Sequence, residues 1–205
     1  VYNKPADFSL ANRSDIDIKF IDELTFKGHR VVYPIYQGCY ERWFKRPAEH
    51  FHADAASAQA SWIQCIQDAM CTLDYLETRD DVNPDGIIGL GFSNGADKLI
   101  TALAIDSRFD RAVLLSVGYH NWQKDRPIID PFQYTPHIDL PVLLVTGIHD
   151  NLYTYENSQI PLFKDLASQD KSHVLMEGGH VPEISKVVTH VDRWLRVRSE
   201  EHTSE

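Results

Sequence analysis

Ile87-Ile88-Gly89-Leu90-Gly91-Phe92-Ser93-Asn94-Gly95-Ala96-Asp97 is the stretch whose reading decides the fold. Its first five residues form a short apolar run that follows the turn-forming Asn83-Pro84-Asp85-Gly86, as a buried strand does. Residues 96–106 then carry a helical pattern, so Ser93 falls on a sharp strand-to-helix turn. Gly91, Ser93 and Gly95 fit the pattern GxSxG. Chance alone supplies that pattern in about one chain of this length in fifteen, so the flanking strand and helix carry the argument. A serine in such a turn stands above the carboxyl edge of a sheet, and glycines two before and two after it let neighbouring elements crowd close to a strained residue.

A serine hydroxyl attacks poorly unless a base takes its proton, so Ser93 calls for a histidine and for a carboxylate to orient it. Both are expected just beyond strand ends. Residues 141–147 (PVLLVTG) are the clearest strand in the chain, and Asp150 follows three residues later. Residues 172–177 read as another strand, from which Gly178-Gly179 leads directly to His180. The expected roles are therefore Ser93 as nucleophile, Asp150 as acid and His180 as base, in the chain order Ser, Asp, His. His149 lies beside the acid, His173 opens a strand and His190 falls on the last helix, so none is placed as well as His180. Asp97, one turn into the helix after the elbow, is expected to be a surface carboxylate. The oxyanion hole needs two N–H donors; Asn94 is the first, and Ala6 and Asp7 near the start are the candidates for the second.

Further from the elbow the same alternation continues. Residues 16–27 are expected to form a helix, and residues 30–36 (RVVYPIY), between Gly28 and Gly38, a buried strand. From 53 to 77 the apolar residues Trp62, Ile66, Ala69, Leu73 and Leu76 recur at helical steps, marking one face of a long helix. Residues 111–117 (RAVLLSV) form another strand-length run. Residues 118–139, with three prolines and four aromatic residues, are expected to be an irregular excursion over a substrate site. A helix near 160–168 and a last helix over 182–197 complete the pattern. Strands that are apolar throughout and separated by helices specify an α/β domain, a mainly parallel sheet with helices on both faces.

Composition bounds the partners. The chain of 205 residues has a formal charge of −10 and is 43% hydrophobic, enough for one core and wrong in sign for nucleic acid or an anionic membrane. With no membrane-length apolar stretch and no signal-like start, the expectation is a cytoplasmic protein. Cys39, Cys65 and Cys71 lack metal-ligand spacing and read as reduced structural thiols. His50 and His52 form an HxH pair beside Glu49, but no further ligand pattern accompanies them, so a solvated loop is expected, with no metal and no cofactor. Trp43, Phe44 and Phe51, near Arg42 and Arg46, either line a pocket or pack beneath the long helix, and packing is the favoured reading. Residues 198–205 (RSEEHTSE) resemble the translation of a sequencing-library adapter and are set aside, leaving 1–197 as the domain. Val1 and Tyr2 run at once into the turn-like Asn3-Lys4-Pro5-Ala6-Asp7, so the chain is expected to be a fragment of a longer reading frame.

Three segments carry a family resemblance: Tyr33-Pro34-Ile35-Tyr36-Gln37-Gly38-Cys39-Tyr40-Glu41-Arg42, the elbow at 91–95, and Glu177-Gly178-Gly179-His180-Val181-Pro182. Together they resemble the dienelactone-hydrolase-like branch of the α/β-hydrolase superfamily, in the form found attached to bacterial serine/threonine kinases or to formylglycine-enzyme-like modules. The resemblance implies the roles already given to Ser93, Asp150 and His180. It also implies a loop near the site from which Tyr36, Tyr40 and Arg42 contact a substrate, joined by Tyr119 and Tyr153. Dienelactone hydrolases proper use cysteine as nucleophile; serine here favours cleavage of a small-molecule carboxylic ester through an acyl-serine. The superfamily strand order 1-2-4-3-5-6-7-8 implies that the first two strands and most of the third are missing. The strand at 30–36 would then have an incomplete ladder, and the sheet an exposed apolar edge. The competing expectations are a non-catalytic ligand-binding or regulatory domain of a larger signalling protein and, within the same chemistry, a peptidase or acyltransferase.

Overall fold

The computed structural model describes residues 15–37, 39, 42, 55–120 and 126–202, and its apolar runs form four strands. β1 (Ile88–Phe92), β2 (Arg111–Leu115), β3 (Val142–Gly147) and β4 (Lys171–Met176) lie side by side in chain order, every pair parallel. A parallel neighbour can be reached only by a crossover over one face of the sheet. α3 (Asn94–Ile105) makes the first crossover. An irregular segment with single 3-10 turns at Pro131–Gln133 and Thr135–His137 makes the second. A π-helical turn, Tyr155–Gln159, running into α4 (Ile160–Asp165) makes the third. α1 (Asp15–Phe26) and α2 (Ala55–Glu77) precede the sheet, and α5 (Ile184–His202) follows it.

Side-chain alternation along the strands divides the core in two. Ala112, Leu114, Val142 and Leu144 pack with Trp62, Ile66, Leu73 and Leu76 of α2, Ile100 and Leu103 of α3, and Leu162 of α4. Their sequence neighbours Val113, Leu115, Leu143 and Val145 pack on the other face with Phe20 and Leu24 of α1 and Val187, Val188, Val191, Trp194 and Leu195 of α5. β2 and β3 are buried from end to end, which is why they read as unbroken apolar runs.

One expected strand is absent. Residues 30–36 form no strand, and β1 has no neighbour on its outer side among the described residues. A strand exists only through its ladder, so a β-branched run without an adjacent strand turns its polar groups elsewhere. Here the Ile35 carbonyl accepts from Arg42 Nη1 at 2.8 Å, the Gln37 N–H donates to Asp68 Oδ2 on α2 at 2.7 Å, and Arg30 Nη1 donates to the Asp81 carbonyl. At the other end, α5 continues past residue 197 to His202. Cys39, Cys65 and Cys71 form no disulfide. Among the described residues no helix is long and apolar enough to cross a membrane.

Candidate active site

The register brings the carboxyl ends of the strands together: Phe92 pairs with Leu115, Leu115 with Val145, and Gly147 with Met176. The ladder continues one step further into the loops, through Ser93 N–H to the Leu115 carbonyl, and Ile148 N–H to the Met176 carbonyl, both at 2.9 Å. Ser93 therefore leaves β1 in a fixed place. It has φ 52° and ψ −122°, a left-handed backbone that a non-glycine residue holds only at a cost, and its carbonyl accepts from Ala96 N–H at 2.8 Å and Asp97 N–H at 3.1 Å. A Cβ on Gly91 would lie 2.6 Å from Ala96 Cα, so that glycine is what lets α3 begin so close to the strand. Gly95 is different: a Cβ there meets nothing within 4 Å, so the second glycine of the pattern is not a packing requirement.

Ser93, His180 and Asp150 meet. His180 Nε2 lies 2.8 Å from Ser93 Oγ, and His180 Nδ1 lies 2.9 Å from Asp150 Oδ2. A carboxylate only accepts, so Nδ1 carries the hydrogen and Nε2 is left to accept from the serine hydroxyl. The Asp150 side chain is completely shielded from solvent. Its second oxygen accepts from the N–H groups of Leu152 at 2.8 Å and Tyr153 at 3.0 Å. That leaves the carboxylate one orientation. The imidazole is walled by Phe92, ring centres 5.6 Å apart, and by Tyr153, 5.8 Å apart and within 23° of parallel. Asn94 is the first residue of α3 and follows Ser93, so its N–H belongs to the orphan donors of a helix start. Ala6, Asp7 and Tyr40 lie outside the described residues.

The other residues expected to contact a substrate have partners within the protein. Tyr36 and Arg42 face α2: Arg42 pairs with Asp68 at 2.9 Å, and burial beside Cys65 and Asp68 pushes the Tyr36 phenol up to about 12. The Tyr119 hydroxyl donates to Asp165 on α4 at 3.1 Å, and burial first, with Asp165 adding to it, raises its pKa. Tyr153 is only 3% exposed and contacts Asp150, Asp97 and His180. The reading of Asp97 is corrected. It is 2% exposed, not a surface group, and accepts the Tyr153 hydroxyl at 2.8 Å. The sequence reading passed over His120, whose ring centre is 4.1 Å from that of Tyr153. Burial lowers its pKa, with Asp150 opposing and His180 adding to that effect. The available signal was its place just beyond the carboxyl end of β2.

The acid loop has its own support. Gln159, fully buried, donates to the Gly147 carbonyl at 3.1 Å and the Tyr153 carbonyl at 2.7 Å, closing the loop that carries Asp150. Its Oε1 accepts from Thr146 Oγ1, which also contacts His173 Nε2, both at 2.7 Å. Gln159→Leu leaves two carbonyls without that donor and is expected to lower unfolding free energy by about 2–4 kcal/mol, measured by urea denaturation. An unchanged midpoint would show that the staple is dispensable. Among the described residues no group of three or more His, Cys, Asp or Glu side chains is arranged to hold a metal ion.

No protein-family model matches the chain. Over 151 residues, 65% of its length, it is 34% identical to "Putative hydrolase YtaP" of Bacillus subtilis (strain 168), and it spans 50% of that protein. Among solved structures, Est1E from Butyrivibrio proteoclasticus with bound ferulic acid is similar with a TM-score of 0.68 at 13% identity, over 93% of this chain and 85% of that one. An acetyl xylan esterase from Paenibacillus sp. R4 matches with a TM-score of 0.58 at 18% identity, over 67% and 53% of the two chains. A cold-adapted esterase from an Arctic intertidal metagenomic library matches with a TM-score of 0.52 at 24% identity, over 67% and 64%. With its parallel sheet covered by helices on both faces, the chain has the α/β-hydrolase fold.

Proposed function

We propose that this chain carries the catalytic centre of an esterase-like serine hydrolase acting on small carboxylic esters. The observation that carries the reading is the continuous hydrogen-bonded chain from Ser93 through His180 to the buried Asp150. The likeness to a hydrolase and to esterases supports it. Ser93 Oγ attacks the ester carbonyl carbon as His180 Nε2 takes its proton, and Asp150 stabilises the resulting imidazolium. The Asn94 N–H meets the developing oxyanion, helped by the positive end of α3. Collapse expels the alcohol, which receives the proton from His180. Water, deprotonated in turn by His180, then attacks the acyl-Ser93 ester and releases the acid. A cytoplasmic location and an attached kinase or formylglycine-enzyme-like module belong to the same reading and rest on the sequence and the resemblance.

A fluorophosphonate probe tests the proposal, because it needs an activated hydroxyl and an oxyanion site but little substrate specificity. Wild-type protein is expected to gain the label on the peptide containing Ser93, as read by mass spectrometry, and Ser93→Ala to gain none. If folded wild-type protein stays unlabelled while a control esterase reacts, the ligand-binding reading becomes the better one.

A further inference from the structure

Tyr153 touches every arm of the site. Its N–H donates to Asp150 Oδ1 at 3.0 Å, its ring lies nearly parallel to His180 at 5.8 Å, and its hydroxyl donates to Asp97 Oδ2 at 2.8 Å in the first turn of the helix that follows Ser93. Packing alone does not account for this. A carboxylate buried to 2% is costly, and a phenylalanine in place of Tyr153 with an apolar residue in place of Asp97 would fill the same volume without that cost. The first turn of α3 offsets part of it, since the positive end of the helix favours a negative charge there. Such an arrangement makes sense where a geometry has to be held.

We infer that Tyr153, anchored through its hydroxyl by Asp97, is a positioning residue that holds the His180 imidazole in line between Asp150 and Ser93. The inference deepens the hydrolase reading and takes its catalytic meaning from it. The Asp150 bond fixes one ring nitrogen of His180 but leaves the ring free to tilt about that bond. Phe92 and Tyr153 both pack against the ring, and Tyr153 is in addition tied by a polar bond to the helix that follows Ser93. Without the hydroxyl the Tyr153 ring loses its tie to α3, and a small shift of that ring displaces His180 relative to Ser93 Oγ.

The test combines steady-state hydrolysis of p-nitrophenyl acetate with the lifetime of the His180 Nδ1 proton, followed as a downfield resonance absent from His180→Ala. Tyr153→Phe is close to isosteric. It is expected to lower kcat about tenfold with KM changed less than about twofold, as a displacement of a fraction of an ångström between reacting groups would. The His180 proton is expected to exchange faster with solvent. Asp97→Ala should match it, Asp97→Asn, which keeps an acceptor oxygen, should recover part of the loss, and Asp97→Ala/Tyr153→Phe should be no worse than either alone because both act through one bond. A Tyr153→Phe protein with wild-type turnover and proton lifetime, whatever its Tm, overturns the inference even if the Asp97 variants fail to fold. If wild type neither hydrolyses ester nor takes a fluorophosphonate label, the hydrolase reading falls; a proton lifetime that still depends on Tyr153 leaves the positioning role standing.

Discussion

Replacing His180 by alanine is expected to lower ester turnover about a thousandfold or more, with a far smaller change in substrate binding. The loss has a direct cause: His180 Nε2 is the group within 2.8 Å of Ser93 Oγ, and its removal leaves the hydroxyl with no base to take its proton. Asp150→Asn should be nearly as damaging. An amide in place of Asp150 can present its NH2 to Nδ1 and turn the ring to the tautomer in which Nε2 carries the hydrogen, which no longer accepts from Ser93. Because these groups act together, Ser93→Ala combined with His180→Ala should lose little more than the worse single variant. Pre-steady-state acylation and steady-state turnover measured side by side check both points, and turnover in His180→Ala near the wild-type value would remove His180 from the mechanism.

The other large effect is expected at a residue with no side chain. A Cβ on Gly147 would lie 2.1 Å from the Gly179 carbonyl oxygen and 2.6 Å from that of Gly178, both main-chain atoms that cannot swing aside. Gly147→Ala must therefore push the strand that carries the acid loop away from the turn that carries His180. A destabilisation of about 3 kcal/mol is expected from the overpacking, together with about a hundredfold loss of turnover for a displacement near 1 Å. Gly95→Ala is the matched control. With open space at its Cβ and a place inside α3, it should leave the urea midpoint unchanged or raise it. Equal behaviour of the two variants would refute the close-contact account.

What the sequence made legible, and what it hid, divides along physical lines. Ser93, Asp150 and His180 stand out in the sequence because the proposed chemistry restricts residue type and the fold restricts them to strand ends; the structure brings the three into contact. Parallel strands buried on both faces, such as β2 and β3, advertise themselves as unbroken apolar runs. The stretch 30–36 advertised itself equally well and forms no strand, because composition describes side chains whereas a strand depends on a neighbour's main chain. Asp97 was misread for a related reason. Its helical position gives no sign that a tyrosine 56 residues downstream will cover it. Of the two pattern glycines, only Gly91 is held by close packing, a distinction the GxSxG pattern does not carry.

The order of the strands has a consequence for how the protein is born. Because β1, β2, β3 and β4 follow one another in the sheet as they do in the chain, each can dock on the edge left by its predecessor as the polypeptide leaves the ribosome, with no strand among the described residues threaded between earlier ones. In the order of synthesis the elbow with Ser93 comes first, the loop with Asp150 later, and His180 only after the fourth strand, 87 residues after the serine. A nascent chain halted before that strand holds Ser93 without the His180 contact, so on the proposed mechanism its hydroxyl has no base until synthesis has passed His180.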